Sequence, residues 1–330
     1  MTLTHGLRIR TRHGRQFWLR AIVLFVGLFP VDLFADPPLG HQGAAYHYSG
    51  KQGQILVVKI PINGEVTRVQ GTFLGRSVSF FSDPRLEEPN GVIGLIGIDL
   101  QDEPGIHELT VETQTEEQRQ TMTYRIQVIK EKFYVERLTL PKNKVDLDRK
   151  SLARWKAEQA QVKEALANDS HTKLWEEGFV EPVAGKRTGI FGSVRIMNGQ
   201  ARNPHNGEDI GAPLGTEVVA TNNGIVRLTV DHIFSGKGVF LDHGLGLYSM
   251  YFHLSEVLVK EGDLVKAGEV VGKVGATGRA TGPHLHWGVK LNGARVNPYA
   301  LLDLPFKESV QSAAPVFVTD PGSSIGSSEP

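Results

Sequence analysis

No cysteine occurs among the 330 residues. That absence removes disulfides, thiolate metal ligands and a cysteine nucleophile together. The chain must therefore rely on ordinary hydrophobic cores, and at 40% hydrophobic content it can bury one or two of them. No apolar run reaches the roughly 20 residues that span a bilayer comfortably; the run at the N-terminus, Ala21 to Phe29, falls short. Neither sign of charge predominates, with 36 basic and 36 acidic side chains, which argues against nucleic acid, a partner that calls for a basic patch or stripe. No His-Glu-x-x-His sequence occurs either, which excludes the zinc helix that carries its own glutamate base.

What the chain does concentrate is histidine. Six of its twelve histidines lie between His205 and His286. Three segments carry the chemistry: His205-Asn206-Gly207-Glu208-Asp209, Tyr251-Phe252-His253-Leu254-Ser255, and Gly282-Pro283-His284-Leu285-His286-Trp287. Two imidazoles and a carboxylate make a zinc site with an open position, and two further imidazoles remain for proton work. In a strand, side chains at i and i+2 share a face. His284 and His286 therefore point one way, and Leu285, Trp287, Val289 and Leu291 point the other, into a core. By the same alternation Ser249, Tyr251 and His253 face a polar surface, opposite Tyr248, Met250, Phe252 and Leu254. His205 and Asp209, four apart, share a side in either regular conformation. His232 and His243 read as structural or exposed. Asp242-His243-Gly244-Leu245-Gly246 has the composition of a hairpin turn.

From about Gly189 to Pro298 the chain resembles the lysostaphin/LytM-type metallopeptidases that cut peptidoglycan cross-links. The matching motifs are Phe191-Gly192, the His205 to Asp209 box, Leu241-Asp242-His243-Gly244, Tyr251 to Leu254, Thr277-Gly278 through His286, Asn292-Gly293 and Val296-Asn297-Pro298. The resemblance covers about a third of the chain. It implies that His205, Asp209 and His286 are the ligands of one Zn2+, and that His253 and His284 are the catalytic pair. Three departures bear on the substrate subsites. Glu208 stands where the family more often has an aliphatic residue, Trp287 where Phe is common, and the loop Asp231 to Lys237 lacks the usual Gly-Tyr-Gly-Asn pattern.

The chain reads as an N-terminal segment followed by four pieces. Residues 1–35 carry Arg8, Arg10, Arg12, Arg15 and Arg20 ahead of the apolar run, the pattern of a secretory signal cleaved after Ala35. If it is not cleaved, residues 17–34 are a membrane anchor. Either way the bulk of the chain is exported, to the periplasm or cell envelope, and removal of residues 1–35 leaves a net charge of −4. Residues 45–130 alternate short strands with turn residues, as a β-sandwich does. They resemble the Ig-like N-terminal module of some exported members of the family. Within 131–180 a helix over 148–167 aligns Leu152, Trp155, Val162 and Leu166 on one face, as a strap or spacer that could lie over the cleft. Residues 181–304 form the metallopeptidase domain, an antiparallel sheet folded into an open barrel-like core, and 305–330 is a tail of disordered composition.

The fold class expected is thus all-β, and the function a zinc endopeptidase acting on stem or cross-bridge peptides of peptidoglycan. A zinc-activated water would be assisted by two histidines, whose unperturbed pKa near 6.5 suits proton exchange at neutrality. A non-catalytic wall-binding or amidase-activating module on the same fold is the alternative. Two His and one carboxylate also describe the facial triad of non-haem iron oxygenases, which the extra histidine pair and an exported location disfavour.

Overall fold

Alternation of apolar and polar residues runs through most of the chain, and strands dominate the computed structural model accordingly. It describes residues 47–62, 66–82, 91–116, 118–138, 148–167, 170–176, 178–201 and 203–305. The signal or anchor expected over 1–35 and most of the tail expected over 305–330 lie outside these. No helix among the described residues is long and apolar enough to cross a membrane.

The first half contains β1 (His47–Lys51), β2 (Ile55–Pro61), β3 (Arg68–Phe73), β4 (Arg76–Phe81), β5 (Gly91–Gly97), β6 (Gly105–Gln114), β7 (Arg119–Ile129) and β8 (Val135–Leu138), followed by helix α1 (Arg149–Ala165). Strands β1 to β7 form one hydrogen-bonded path in the order β1-β7-β6-β3-β4-β5-β2. β4 joins its two parts, pairing Arg76–Ser79 with β3 and Phe80 and Phe81 with Gly94 and Ile93 of β5. Alternate residues of β7, Tyr124, Ile126 and Val128, turn into a core with Leu109, Val111, Phe73, Val58 and Ile60. This core contains no cluster of metal-ligating side chains among the described residues.

The second half contains β9 (Lys186–Gly189), β10 (Val194–Met197), β11 (Gln200–Ala201), β12 (Gly207–Gly211), β13 (Glu217–Val219), β14 (Gly224–His232), β15 (Gly236–Gly244), β16 (Leu247–Leu254), β17 (Glu256–Val257), β18 (Leu264–Val265), β19 (Val270–Lys273), β20 (Leu285–Leu291), β21 (Ala294–Val296) and α2 (Tyr299–Leu302). Its main sheet runs β18-β14-β15-β16-β20-β12-β9 with β21 beside β20, and β13-β19-β17 form a smaller sheet. Residues of both sheets, Val218, Val271 and Val274 with Leu241, Tyr251, Leu285 and Trp287, share one core. The result is the open, barrel-like arrangement expected for 181–304. β12 and β20 are antiparallel neighbours with Asp209 directly opposite His286. β16 is the other neighbour of β20 and places Phe252 opposite His286.

The two halves are not separated by a solvated gap. Ile93 and Leu95 of β5 join the core of the second half, as does Trp175, whose ring meets Phe81 edge-on at 5.3 Å. Asp99 takes three hydrogen bonds from Arg295, at 2.6, 2.7 and 2.9 Å.

Three sequence expectations are corrected here. Ser249 and Tyr251 do not face a polar surface: both are fully buried, and Tyr251 packs with Trp287. The core tolerates them because Ser249 Oγ and Tyr251 OH bond each other at 2.8 Å, and Tyr251 OH accepts from Thr221 N at 2.8 Å. His243 is not a turn residue. It ends β15 inside the core, donates from Nδ1 to Asn223 O (2.6 Å) and accepts from Ser249 Oγ at Nε2 (2.7 Å); the turn proper is Leu245-Gly246. Finally, only part of the face expected on α1 is buried: Val162 and Leu166 pack on the sheet, but Leu152 is exposed. The helix starts at the cap Asp148, whose carboxylate accepts from Ser151 N at 2.7 Å, and it seats Val162, Ala165 and Leu166 on Leu228, Val230, Phe240 and Met250.

Candidate metal centre

Register sets the centre. Asp209 on β12 and His286 on β20 are cross-strand partners, so their side chains start about 5 Å apart on one face. His286 Nδ1 lies 2.8 Å from Asp209 Oδ1. His205, just before β12, completes the triangle, with Nε2 at 3.0 Å from the same oxygen and 3.1 Å from His286 Nδ1. Two glycines make room. A Cβ on Gly189 would overlap the Asp209 carboxylate, and one on Gly207 would sit 2.6 Å from His286 Nε2.

Whether these residues suit a metal ion can be judged from lone pairs. His205 donates from Nδ1 to Ile190 O at 3.1 Å, which leaves its Nε2 unprotonated and aimed at the other two atoms. Two imidazole nitrogens and a carboxylate oxygen thus converge with too few protons to satisfy them. Ligand atoms about 2.0–2.1 Å from a tetrahedral zinc are roughly 3.3 Å from one another, close to the spacings found. The triangle fits a single cation. Burial alone would raise the Asp209 pKa, but the adjacent His205 and His286 outweigh it and hold the carboxyl well below its usual range. Burial also pushes His286 down, with Asp209 opposing.

The two remaining histidines lie alongside. The His253 and His284 rings are 4.8 Å apart, and His284 Nε2 is 3.8 Å from Asp209 Oδ1. Each donates from Nδ1 to a carbonyl, His253 to Thr277 O and His284 to Gly282 O, both at 2.8 Å. Each therefore presents a bare Nε2 to the centre. Burial, followed by the neighbouring His286, lowers the His253 pKa to about 4, so its neutral form prevails at pH 7.

His253 reaches this side by an irregularity that its sequence spacing does not announce. Phe252 is opposite His286 and stacks on its ring at 5.8 Å, so plain alternation would send His253 into the core with Tyr251. Instead the ladder to β15 shifts register beside it, and His253 takes a left-handed φ of 62°. Such a conformation costs a non-glycine residue about 1–2 kcal/mol. The strain is held by His253 N bonding Ser235 O at 2.9 Å and by the Thr277 contact.

All five sequence-selected residues, His205, Asp209, His253, His284 and His286, come together; His232 and His243 stay outside. Residues not foreseen support them. Glu208, fully buried behind the centre, takes two bonds from Arg187 (3.0 and 2.5 Å) and one from Phe191 N at 3.2 Å. It thereby holds β9 and the segment after it, whose Ile190 carbonyl orients His205. A glutamate beside an apolar strand was the available signal; the carbonyls of Ile190, Thr277 and Gly282 had none. Trp287 fills the core against Tyr299 at 5.6 Å. The unusual loop Asp231 to Lys237 is matched by α1, where Arg154 donates to Asp231 O at 2.8 Å and Glu158 accepts from Ile233 N at 3.1 and 3.2 Å.

Comparison with known proteins bears on the same region. Residues 203–298 match the model of peptidase family M23. Peptidoglycan DD-endopeptidase ShyA of Vibrio cholerae is 41% identical over 107 residues, 32% of this chain and 25% of that protein. DD-carboxypeptidase/endopeptidase Mpg of Neisseria meningitidis is 41% identical over 113 residues, 34% of this chain and 26% of that protein. The chain thus spans about a quarter of the length of the curated relatives it matches. A solved structure from Pseudomonas aeruginosa, described by its family as peptidase M23, superposes with a TM-score of 0.58 at 31% identity. That match covers 75% of this chain and 93% of the other, well beyond residues 203–298.

Proposed function

The chain belongs to peptidase family M23, and from that premise we propose that it is a zinc-dependent endopeptidase that hydrolyses peptide cross-links of bacterial peptidoglycan in the cell envelope. The observation that carries the proposal is the convergence of His205 Nε2, Asp209 Oδ1 and His286 Nδ1 to within 3.1 Å. In this reading those three residues hold one Zn2+. When bound, zinc supplies Lewis acidity toward a carbonyl and raises the acidity of water.

The rest of the work falls to His253 and His284. With both Nδ1 protons committed to carbonyls, each Nε2 is free to take or return a proton within the same small volume. One accepts the proton of the attacking water and passes it to the leaving amine, a task suited to a neutral imidazole. The other, carrying at Nε2 a proton taken up from solvent and returned to it after turnover, donates to the oxygen on which negative charge develops. The carbonyl anchors keep both rings from rotating, so little reorganisation accompanies transfer.

The division of labour proposed along the chain puts this chemistry in 181–304. The sheet of 45–130 and the segment 131–180 position the substrate. Residues 1–35 serve export, with 17–34 an anchor if they are retained. The test is digestion of purified peptidoglycan by residues 36–330, with released muropeptides identified by mass. Cross-linked dimers should be converted to monomers, chelation should stop the conversion, and Zn2+ should restore it. Zinc-loaded protein that binds the wall but releases nothing would instead mark a non-catalytic module.

A further inference from the structure

The face of the main sheet that carries the metal group also carries a second feature. β16 and β20 pair Phe252 with His286, Met250 with Gly288, and Tyr248 with Lys290. Alternate pairs share a face, so Tyr248 and Lys290 lie on the metal side. Four residues along an extended strand place them about 13 Å from His286. α1 lies beside this end of the strip and borders, with the sheet, an open cavity of about 540 Å3. Gln159, Val162, Lys163 and Leu166 line it from the helix, and Tyr248 and Lys290 from the sheet.

Its chemistry is one-sided. Two ammonium groups face the cavity, and no carboxylate lines it among the described residues. Neither lysine has an ion-pair partner among them. Asp99, the acid that acts on Lys290, is already bound by Arg295 through both its oxygens. Burial accordingly lowers the Lys290 pKa, with the Arg295 charge adding to it. A half-buried ammonium without a counter-ion is an unfavourable arrangement that an incoming anion relieves. The apolar wall of Val162 and Leu166 and the amide of Gln159 suit a peptide better than a bare ion.

The geometry points to this cavity as a subsite for a carboxylate-bearing part of the substrate peptide, held by Lys290 and Lys163 some four residues from the bond that is cut. The identity of that peptide as a peptidoglycan stem rests on the proposed peptidase activity; the preference for a carboxylate does not. α1 then acts as a wall of the substrate groove, which gives the segment 131–180 a direct part in specificity.

Two measurements test this on residues 36–330. The first follows cleavage of a soluble cross-linked stem-peptide dimer with free carboxylates, and of the same dimer with those carboxylates amidated. Lys290→Met and Lys163→Met should each raise KM for the acid about tenfold, leaving kcat and zinc content within twofold, and Lys290→Arg should restore KM. The amidated dimer should be insensitive to all three. Unchanged KM for the acid in both Met variants would overturn the subsite. The second is calorimetric titration of an uncross-linked acidic stem peptide onto the metal-depleted protein. Binding should weaken about tenfold in Lys290→Met. If the wild type binds this peptide through Lys290 but cleaves no dimer, the peptidase proposal fails and the subsite stands. If the wild type cleaves but shows no preference for the acid over the amide, the subsite fails alone. Equal affinity for inorganic phosphate and for the peptide would also overturn it, since the site would then be a general anion hole.

Discussion

Replacing Gly207 by alanine adds one methyl group at the tightest point of the metal centre. The added carbon would lie 2.5 Å from the Trp287 carbonyl oxygen and 2.6 Å from His286 Nε2, about 1 Å inside ordinary contact distance. Neither neighbour can swing away. The carbonyl belongs to the backbone of β20, and the His286 ring is pinned between Asp209 at 2.8 Å and the stacked ring of Phe252. β12 must therefore lift from β20, and the Asp209–His286 register pair lies two residues further on. Overpacking of this kind costs about 1–3 kcal/mol, a fall in Tm of roughly 2–12 °C for a domain of this size. Displacing the ring of a metal-binding histidine should also weaken zinc about 10–100-fold, as loss of supporting contacts does elsewhere. Competition with a chromophoric chelator reads the affinity, and thermal unfolding of the metal-depleted protein reads the stability. A Gly207→Ala protein that matches the wild type in both would mean that the β12–β20 approach is looser than described, and the argument from close contact would fail.

Other outcomes follow from the same geometry. His286→Ala should lose zinc and activity together, because two ligands remain of three, whereas His284→Ala should keep zinc in metal analysis and lose turnover; equal zinc loss in both would remove His284 from the proton-transfer role. Glu158→Gln leaves shape intact but weakens the acceptor for Ile233 N and the pair with Arg154, so kcat should fall about 3–10-fold through the loop that holds His253, with zinc content unchanged. Normal kcat would mean that α1 does not brace that loop. His243, fully buried, has its pKa lowered to about 4, chiefly by burial, below the unfolded value of about 6.5. The unfolded chain therefore takes up the proton first, and the stability tied to neutral His243 is intact above about pH 6.5 and lost as pH falls toward 4, by at most about 3 kcal/mol. In urea unfolding, His243→Gln should be less stable at pH 7 yet lose about 2–3 kcal/mol less than the wild type on moving to pH 4.5; parallel losses would show that His243 does not titrate as described.

Much of the centre is legible in the chain because it depends on period two. Trp287, Val289 and Leu291 share the core with Leu285, so His286 must face the other way, and His284 follows it. Asp209 opposite His286 is a matter of register, which no single strand encodes. β12 itself, Gly-Glu-Asp-Ile-Gly, carries too few β-branched or aromatic residues to be picked out as a strand, and it exists because β20 and β9 supply partners on both sides. His253 reaches the other histidines for a reason that alternation does not give: its alternation partners Ser249 and Tyr251 are buried, and only a left-handed residue in a bulge brings it round. α1 was legible as a helix, and half of its seat, Val162 and Leu166, was legible with it. Leu152 is solvent-exposed and Glu158 is buried instead, since a helix buries the face that its neighbour offers.

By itself the sequence determined the all-β character, the absence of thiol chemistry and the set of five residues that meet, because composition and local periodicity are properties of the chain alone. Tertiary structure decided which three of those residues touch one another and which way His253 turns. It also joined the two halves through Ile93, Leu95 and the Asp99–Arg295 contact, and it left Lys290 facing a cavity beside α1. These depend on register and on packing between segments far apart in the chain, where the energy belongs to the pair and neither partner carries it alone.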